Sequence, residues 1–405
     1  MRVLVTGAKG FVGRNLCESL KNIRDGKDRR ERYQSLLPLE VYEYDLGSTE
    51  GQLDDWCSRA DFVFNLAGVN RPKDPAEFMK GNFGFASELL AALERHENRC
   101  PVMLASSIQA SLEGRYAGSA YGESKLAGEK LFRDYSERTG APVLIYRFPN
   151  LYGKWCRPNY NSAVATFCDA IANDRPYEVS DPSVELELLY IDDLVEEMLS
   201  ALLVEPHRCG YEGISRVEDD DFCYCPTTDC VTLGSIVDML NEFKRSRETL
   251  DIPDMEAGSF KKKLYSTYLS YLALDDLSYN LAPNKDHRGS FTEILHMDDH
   301  GQISINVSSP CAIKGNHWHN SKWEKFLVVS GEALIRERRV GLDEHGERFP
   351  VAEYRVTGGD RKVVEMVPGM AHSIENLSDT RDLVTLIWAN EAFDPENPDT
   401  FYEEV

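Results

Sequence analysis

No apolar run in this chain approaches the roughly 18–20 residues that a bilayer-spanning helix needs, so no membrane-spanning helix is expected in it. The first residues lack the charged and apolar regions of a secretory leader, Met1-Arg2 leading straight into a short apolar strand and a glycine turn. The expected location is therefore the cytoplasm. Basic residues are scarce: 45 Lys and Arg against 68 Asp and Glu leave a net charge of −23. That balance argues against nucleic acid or an anionic membrane as partner. A small anionic ligand is still compatible with it, because a few cations and helix N-termini suffice to hold one. The ten cysteines lack the spacing of a common structural zinc site. Cys209, Cys223, Cys225 and Cys230 crowd one stretch with C-x-C and C-x4-C intervals and read as free thiols on a loop. Internal repeats and low-complexity tracts are missing too.

What is present is an ordinary globular composition, 42% hydrophobic and 28% charged, over 405 residues, enough for two or three domains. Up to about residue 245, apolar strands alternate with amphipathic helices: strand 1–6, strand 41–45, strand 62–67, helix 76–97, strand 102–106, helix 121–138 and strand 143–147. Such alternation predicts right-handed crossovers and a doubly wound parallel α/β sheet. From 284 to 405 the pattern changes to short alternating runs punctuated by Gly, Asp and Pro, among them 302–307, 325–329, 333–336, 361–364 and 383–388. These predict an all-β jelly-roll barrel. The predicted organisation is thus an α/β domain over 1–245, a connector over 246–283 and a β-barrel over 284–405.

In the first domain, Gly7, Gly10 and Gly13, with Phe11 and Val12 between them, open a helix directly after a strand. There the backbone can approach a pyrophosphate and the helix N-terminus supplies positive potential. Ala67 and Gly68 end the strand beside which the adenosine edge would lie. Asp45 at the end of the second strand suits a ribose 2′-hydroxyl, and Arg14 just past the glycine turn suits a 2′-phosphate; NADPH is the expected cofactor. Tyr121 and Lys125 are four apart on one helix face. The ammonium should favour the phenolate and lower the tyrosine pKa, with Ser107 at a strand end hydrogen-bonding the same substrate oxygen.

In the second domain, His317 and His319 alternate along a strand, Glu324 begins the next run, and His372 follows on a later hairpin. This donor set suits a divalent metal, zinc above all.

Residues 1 to about 245 resemble the extended short-chain dehydrogenases/reductases that act on nucleotide sugars. The resemblance implies Ser107, Tyr121 and Lys125 as a catalytic trio, Lys125 also touching cofactor, and Asn82 as a structural or relay residue. Arg147-Phe-Pro-Asn150-Leu-Tyr-Gly153 is similar to the family's substrate-side segment, with Lys154, Arg157 and Asn161 as contacts to a nucleotide diphosphate. Dehydratases of the family carry an acidic residue after the catalytic Ser or Thr, whereas this chain has Ile108 there, which favours plain hydride transfer.

The second domain resembles the cupins, with one departure where Pro368 directly precedes Gly369. Asp286 to Glu293 resembles the entry segment of keto-sugar 3,5-epimerases. That implies substrate contacts from Arg288, Phe291, Glu293 and Lys314, and a base role for His317, which is then claimed both as ligand and as base. Strings such as Asn150-Leu-Tyr-Gly-Lys-Trp-Cys156 and Leu264-Tyr-Ser-Thr-Tyr-Leu-Ser-Tyr-Leu272 resemble, end to end, the fused epimerase–reductases of capsular polysaccharide synthesis. The resemblance implies C3 epimerisation of a UDP-4-keto-6-deoxy-HexNAc in the barrel. NADPH-dependent C4 reduction then gives UDP-2-acetamido-2,6-dideoxy-L-talose, on the route to UDP-N-acetyl-L-fucosamine. Two other readings stay open: a reductase whose barrel is only a metal-stabilised dimerisation module, and a nucleotide-sugar sensor without turnover. A homodimer through the barrel is expected, from its sheet edges and the aromatic residues Trp388, Phe393, Phe401 and Tyr402.

Overall fold

The computed structural model describes residues 1–70, 72, 74, 76–206, 222–297, 301–392, 394 and 399–405. Contacts divide the chain into one unit of Met1–Asn241 with Ala257–Ala273 and another of Glu242–Glu256 with Leu274–Val405.

The first unit begins β1 (Arg2–Thr6), α1 (Phe11–Arg24), β2 (Glu40–Tyr44), α2 (Glu50–Arg59), β3 (Phe62–Asn65), α3 (Ala76–Phe78), α4 (Phe85–Arg95), β4 (Val102–Ser107), α5 (Ala120–Thr139) and β5 (Val143–Phe148). It continues through β6 (Asn150–Tyr152), α6 (Ala163–Ala172), β7 (Glu185–Tyr190), α7 (Ile191–Leu202), β8 (Phe222–Cys223), β9 (Asp229–Thr232) and α8 (Leu233–Thr249), whose residues from Glu242 on belong to the second unit. Its main sheet is parallel, ordered β2-β1-β3-β4-β5-β8. Alternate strand residues explain the double winding. Val3, Val5, Phe62 and Phe64 pack with Leu16 and Leu20 of α1 and Met198 of α7, while Leu4, Val63 and Ile145 pack with Leu53 of α2, Leu90 of α4 and Phe132 of α5. The strand order reverses between β1 and β3, so the crevice at their carboxyl ends is where such a sheet holds its ligand.

Two expectations change here. The helix expected over 76–97 is interrupted by a π-helical turn, Met79–Gly84, whose extra residue per turn re-aims Asn82 inward. The cysteine stretch is no surface loop: Cys223 lies in β8 and, with Cys225, is buried in the core, whereas Cys230 is exposed on β9. Cys209 falls outside the described residues. In what reads as connector, α9 (Phe260–Leu269) packs on α6 within this unit.

The second unit holds β10 (Asp251–Ile252), β11 (Asn284–Asp286), β12 (Gly289–Met297), β13 (Gly301–Ser308), β14 (Ile313–Trp318), β15 (Glu324–Ser330) and β16 (Glu332–Arg339). After them come β17 (Ala352–Thr357), β18 (Val363–Met366), β19 (Met370–Asn376), β20 (Leu383–Ala389) and β21 (Phe401–Tyr402). One sheet runs β10-β12-β13-β20-β15-β18 with β11 on β12, and the other β17-β16-β19-β14-β21. Phe326, Val328 and Ile387 from the first meet Ile335, Val356 and Ile374 from the second in one core, as two packed sheets require.

Candidate functional site

The crevice of the first unit is built from backbone. Gly7 adopts φ +67°, and a Cβ there would meet the Ala67 amide nitrogen at 2.8 Å; at Gly13 it would meet the Gly7 carbonyl at 2.1 Å. Helix α1 follows the extended cap residue Gly10, with no side-chain cap and no acidic residue in its first turn, leaving its amide donors open to a diphosphate. The residues therefore fit a dinucleotide. Asp45 closes β2, its carboxylate fixed by the N–H groups of Lys9 (2.7 Å) and Leu46 (2.8 Å). The Arg14 guanidinium stacks 4.3 Å above the Trp155 ring, in the loop after β6.

Ser107, Tyr121 and Lys125 come together as expected. Ser107 ends β4, caps the following turn through the Gln109 N–H (3.2 Å), and hydrogen-bonds Tyr121. Lys125 Nζ lies 5.7 Å from the Tyr121 ring centre and donates to the Ala105 carbonyl at 2.9 Å. Gly68 is within reach of it, since a Cβ there would sit 3.3 Å from Nζ. The expected depression of the tyrosine pKa is not found. Burial pushes Tyr121 up to about 12 against the Ser107 hydrogen bond, and burial lowers Lys125 to about 8 against the attraction of Glu129. Desolvation outweighs a cation that points at a backbone carbonyl.

Of the expected substrate residues, several have other partners. Asn82 accepts from the Val69 N–H (2.8 Å) and donates to Ser124 Oγ (2.9 Å), holding the crevice wall to α5. Arg147 makes a bidentate pair with Glu129 at 2.9 and 2.7 Å, and Asn150 donates to the Glu187 carbonyl. Lys154 pairs with Asp192, and Arg157 covers the Tyr160 ring. Asn161 is exposed in the same loop. Tyr160 was not singled out from sequence, yet it lies near enough to raise the Tyr121 pKa.

In the second unit a cavity of about 490 Å³ is lined by Arg288, Phe291, Lys314, His317, Glu324 and His372, among others. Lys314 Nζ donates to Asn306 Oδ1 (2.7 Å) and the Val307 carbonyl (2.9 Å), and burial lowers its pKa. Arg288 pairs with Asp286; Glu293 does not line the cavity and lies 3.6 Å from His296.

His317, His319, Glu324 and His372 present donor atoms all within 4.8 Å of one another. Glu324 comes from one sheet, His317 and His372 from the other. A register shift between Gly315 (φ +92°) and His317 turns the latter toward His372, whose ring centre is 4.6 Å away. Buried without hydrogen-bond partners are His319 Nε2 and both ring nitrogens of His372. Orphaned nitrogens facing a carboxylate fit a metal ion. Burial and the two neighbouring imidazoles lower His317 to about 4. Burial opposes charge on His319, but Glu324 and the Asp399 carbonyl more than offset it, raising that pKa. Despite its burial, Glu324 is held well below the usual carboxylate range by His319 and His372. Asn376 is structural, donating to the carbonyls of Ser308, Ser309 and Arg381. Sequence reading passed over Glu337, buried directly across the β16–β19 ladder from His372. A charged residue at an inward strand position was its available signal.

Residues 3–208 match the model of the NAD dependent epimerase/dehydratase family, and residues 284–401 that of the polysaccharide biosynthesis C-terminal domain. The chain is 39% identical over 403 residues to a Pseudomonas aeruginosa UDP-2-acetamido-2,6-beta-L-arabino-hexul-4-ose reductase, covering 99% of this chain and 98% of the relative. It is similar to the crystal structure of the capsular polysaccharide assembling protein CapF from Staphylococcus aureus (TM-score 0.85, 44% identity, all of both chains). At 18% identity, the Thermus thermophilus UDP-glucose 4-epimerase shares the fold (TM-score 0.51, 67% of this chain and 99% of that one).

Proposed function

This chain belongs to the NAD dependent epimerase/dehydratase family, and from that membership we propose that it is a bifunctional nucleotide-sugar enzyme whose first unit reduces a UDP-4-keto sugar. The observation that carries the reading is the Ser107–Tyr121–Lys125 grouping beside a glycine crevice that fits a dinucleotide. The glycine crevice would hold a reduced nicotinamide dinucleotide, which would supply hydride for the sugar's C4. The Tyr121 hydroxyl hands its proton to the C4 oxygen, which Ser107 also hydrogen-bonds, while Lys125 holds the site's positive charge. Tyr121 stays protonated at neutral pH, as a general acid must. NADPH is the proposed reductant, supported by Lys9 and Arg14 on and just after the glycine turn; the ratio of kcat/KM for NADPH and NADH tests this.

The second unit is proposed to be a cupin that epimerises C3 of UDP-4-keto-6-deoxy-HexNAc before reduction to UDP-2-acetamido-2,6-dideoxy-L-talose. A ketone makes the neighbouring C–H acidic, and Lys314 and Arg288 line the cavity where the enolate oxygen would be stabilised. His317, His319, Glu324 and His372 would hold zinc, which would supply Lewis acidity there. Held in that set, His317 has no free lone pair, so as the base that takes and returns the C3 proton it would act with the metal absent, its role depending on metal occupancy. The decisive experiment is solvent deuterium incorporation at C3 without NADPH. Tyr121→Phe should abolish NADPH oxidation and leave that exchange intact; joint loss would refute separate sites. A homodimer through the barrel, in the cytoplasm, completes the proposal. Phe401 and Tyr402 support it only in part, because β21 is already paired with β14 and Phe401 lies against Trp318. Trp388 packs on Trp323, and Phe393 falls outside the described residues.

A further inference from the structure

Residues 399–405 lie along the strand that carries His317. Tyr402 pairs opposite His317 and Phe401 opposite Trp318. The Glu403 N–H donates to the Asn316 carbonyl at 2.9 Å. Buried Arg338 holds the Glu403 carboxylate at 2.7 Å and the Glu404 carbonyl at 2.9 Å. Asp399 anchors the segment. Its carboxylate accepts the N–H groups of Asn320 (2.8 Å), Ser321 (2.8 Å) and Lys322 (2.9 Å), together with the Ser321 hydroxyl (3.2 Å). Its own carbonyl accepts a hydrogen bond from His319 Nδ1.

A carbonyl can only accept, so Nδ1 must carry the hydrogen and Nε2 is left with the lone pair. That Nε2 is the buried, partnerless nitrogen 3.8 Å from Glu324 Oε2. We propose that Asp399 is a positioning residue for the metal centre: it fixes the tautomer and ring orientation of His319 from 80 residues away in sequence. The three loop amides hold the Asp399 side chain, and the side chain holds the carbonyl against the ring. Outer partners of this kind typically change metal affinity by about 10–100-fold. The proposal rests on reading the four-residue cluster as a metal site.

The test uses the full chain, its zinc affinity measured by competition with a chromophoric chelator and its visible spectrum recorded with saturating Co²⁺. Wild type should bind one ion per chain. Asp399→Ala should bind zinc about 10–100-fold more weakly and show altered cobalt bands, because His319 can rotate. Asp399→Asn, which keeps one oxygen acceptor, should fall between them, and it carries the test if the alanine variant does not fold. Tyr402→Ala, on the exposed part of the same segment, should match wild type. Wild-type affinity and cobalt spectrum in both Asp399 variants would overturn the proposal while leaving the metal site standing. A wild type that binds neither ion would overturn the metal reading and the proposal with it.

Discussion

Replacing Arg147 with alanine should unfold the first unit more readily rather than simply weaken substrate binding. Its side chain is 10% exposed, that of its partner Glu129 is 2% exposed, and the two bidentate contacts are 2.9 and 2.7 Å. Glu129 also accepts from Ser106 Oγ at 2.5 Å, and the guanidinium covers the Phe222 ring at 4.0 Å. Removal of Arg147 strands a buried carboxylate with only the Ser106 hydroxyl bonded to it and the more distant Lys125 ammonium as counter-charge. Breaking such a pair from one side costs about 3–5 kcal/mol. At roughly 2–4 °C per kcal/mol for a unit of this size, Tm should fall by about 6–20 °C. The assay is calorimetry of the full chain, following the transition that bound dinucleotide raises. Arg147→Met combined with Glu129→Leu leaves neither charge buried and should recover most of the loss. An unchanged Tm together with a KM raised tenfold or more would refute this reasoning and place Arg147 on the substrate.

Two further outcomes follow from the same geometry. Lys125 has its pKa lowered by burial to about 8 from 10.5, so below pH 8 the folded state carries the full cost of a buried ammonium, and that cost fades as pH rises from 8 to 10.5. Wild type should therefore gain on Lys125→Met by about 3 kcal/mol across that window, at 1.36 kcal/mol per unit; a pH-independent difference in denaturant unfolding would contradict the burial argument. If the proposed metal site is occupied, His319→Ala should abolish metal binding there, and chelation of wild type should lower its Tm, since the donors join two sheets. A thousandfold excess over Kd corresponds to about 4 kcal/mol, and elemental analysis showing unchanged metal content would remove the ligand assignment.

The sequence by itself determined the class of both units and picked out many of the side chains that the structure gathers at the two sites. Period-two and helical apolar patterns are local, so strands around Val3, Phe62, Val102 and Val143 and the barrel runs at 302–307 and 383–388 were legible without contacts. Gly7, Gly10 and Gly13 were legible because a close backbone approach tolerates no side chain, and His317, His319 and Glu324 because they lie within eight positions. What only the tertiary structure decided were pairings across long separations. Arg147 reads as a substrate residue until α5 brings Glu129 beside it, and Cys223 reads as a loop thiol until β8 joins the sheet next to β5. The Tyr121 pKa reverses its expected direction because desolvation depends on everything packed around the ring, not on the lysine four residues away. Asp399 had no sequence signal at all: its role comes from three loop amides and one imidazole nearly 80 residues earlier, a placement that only the closing of β21 onto β14 creates.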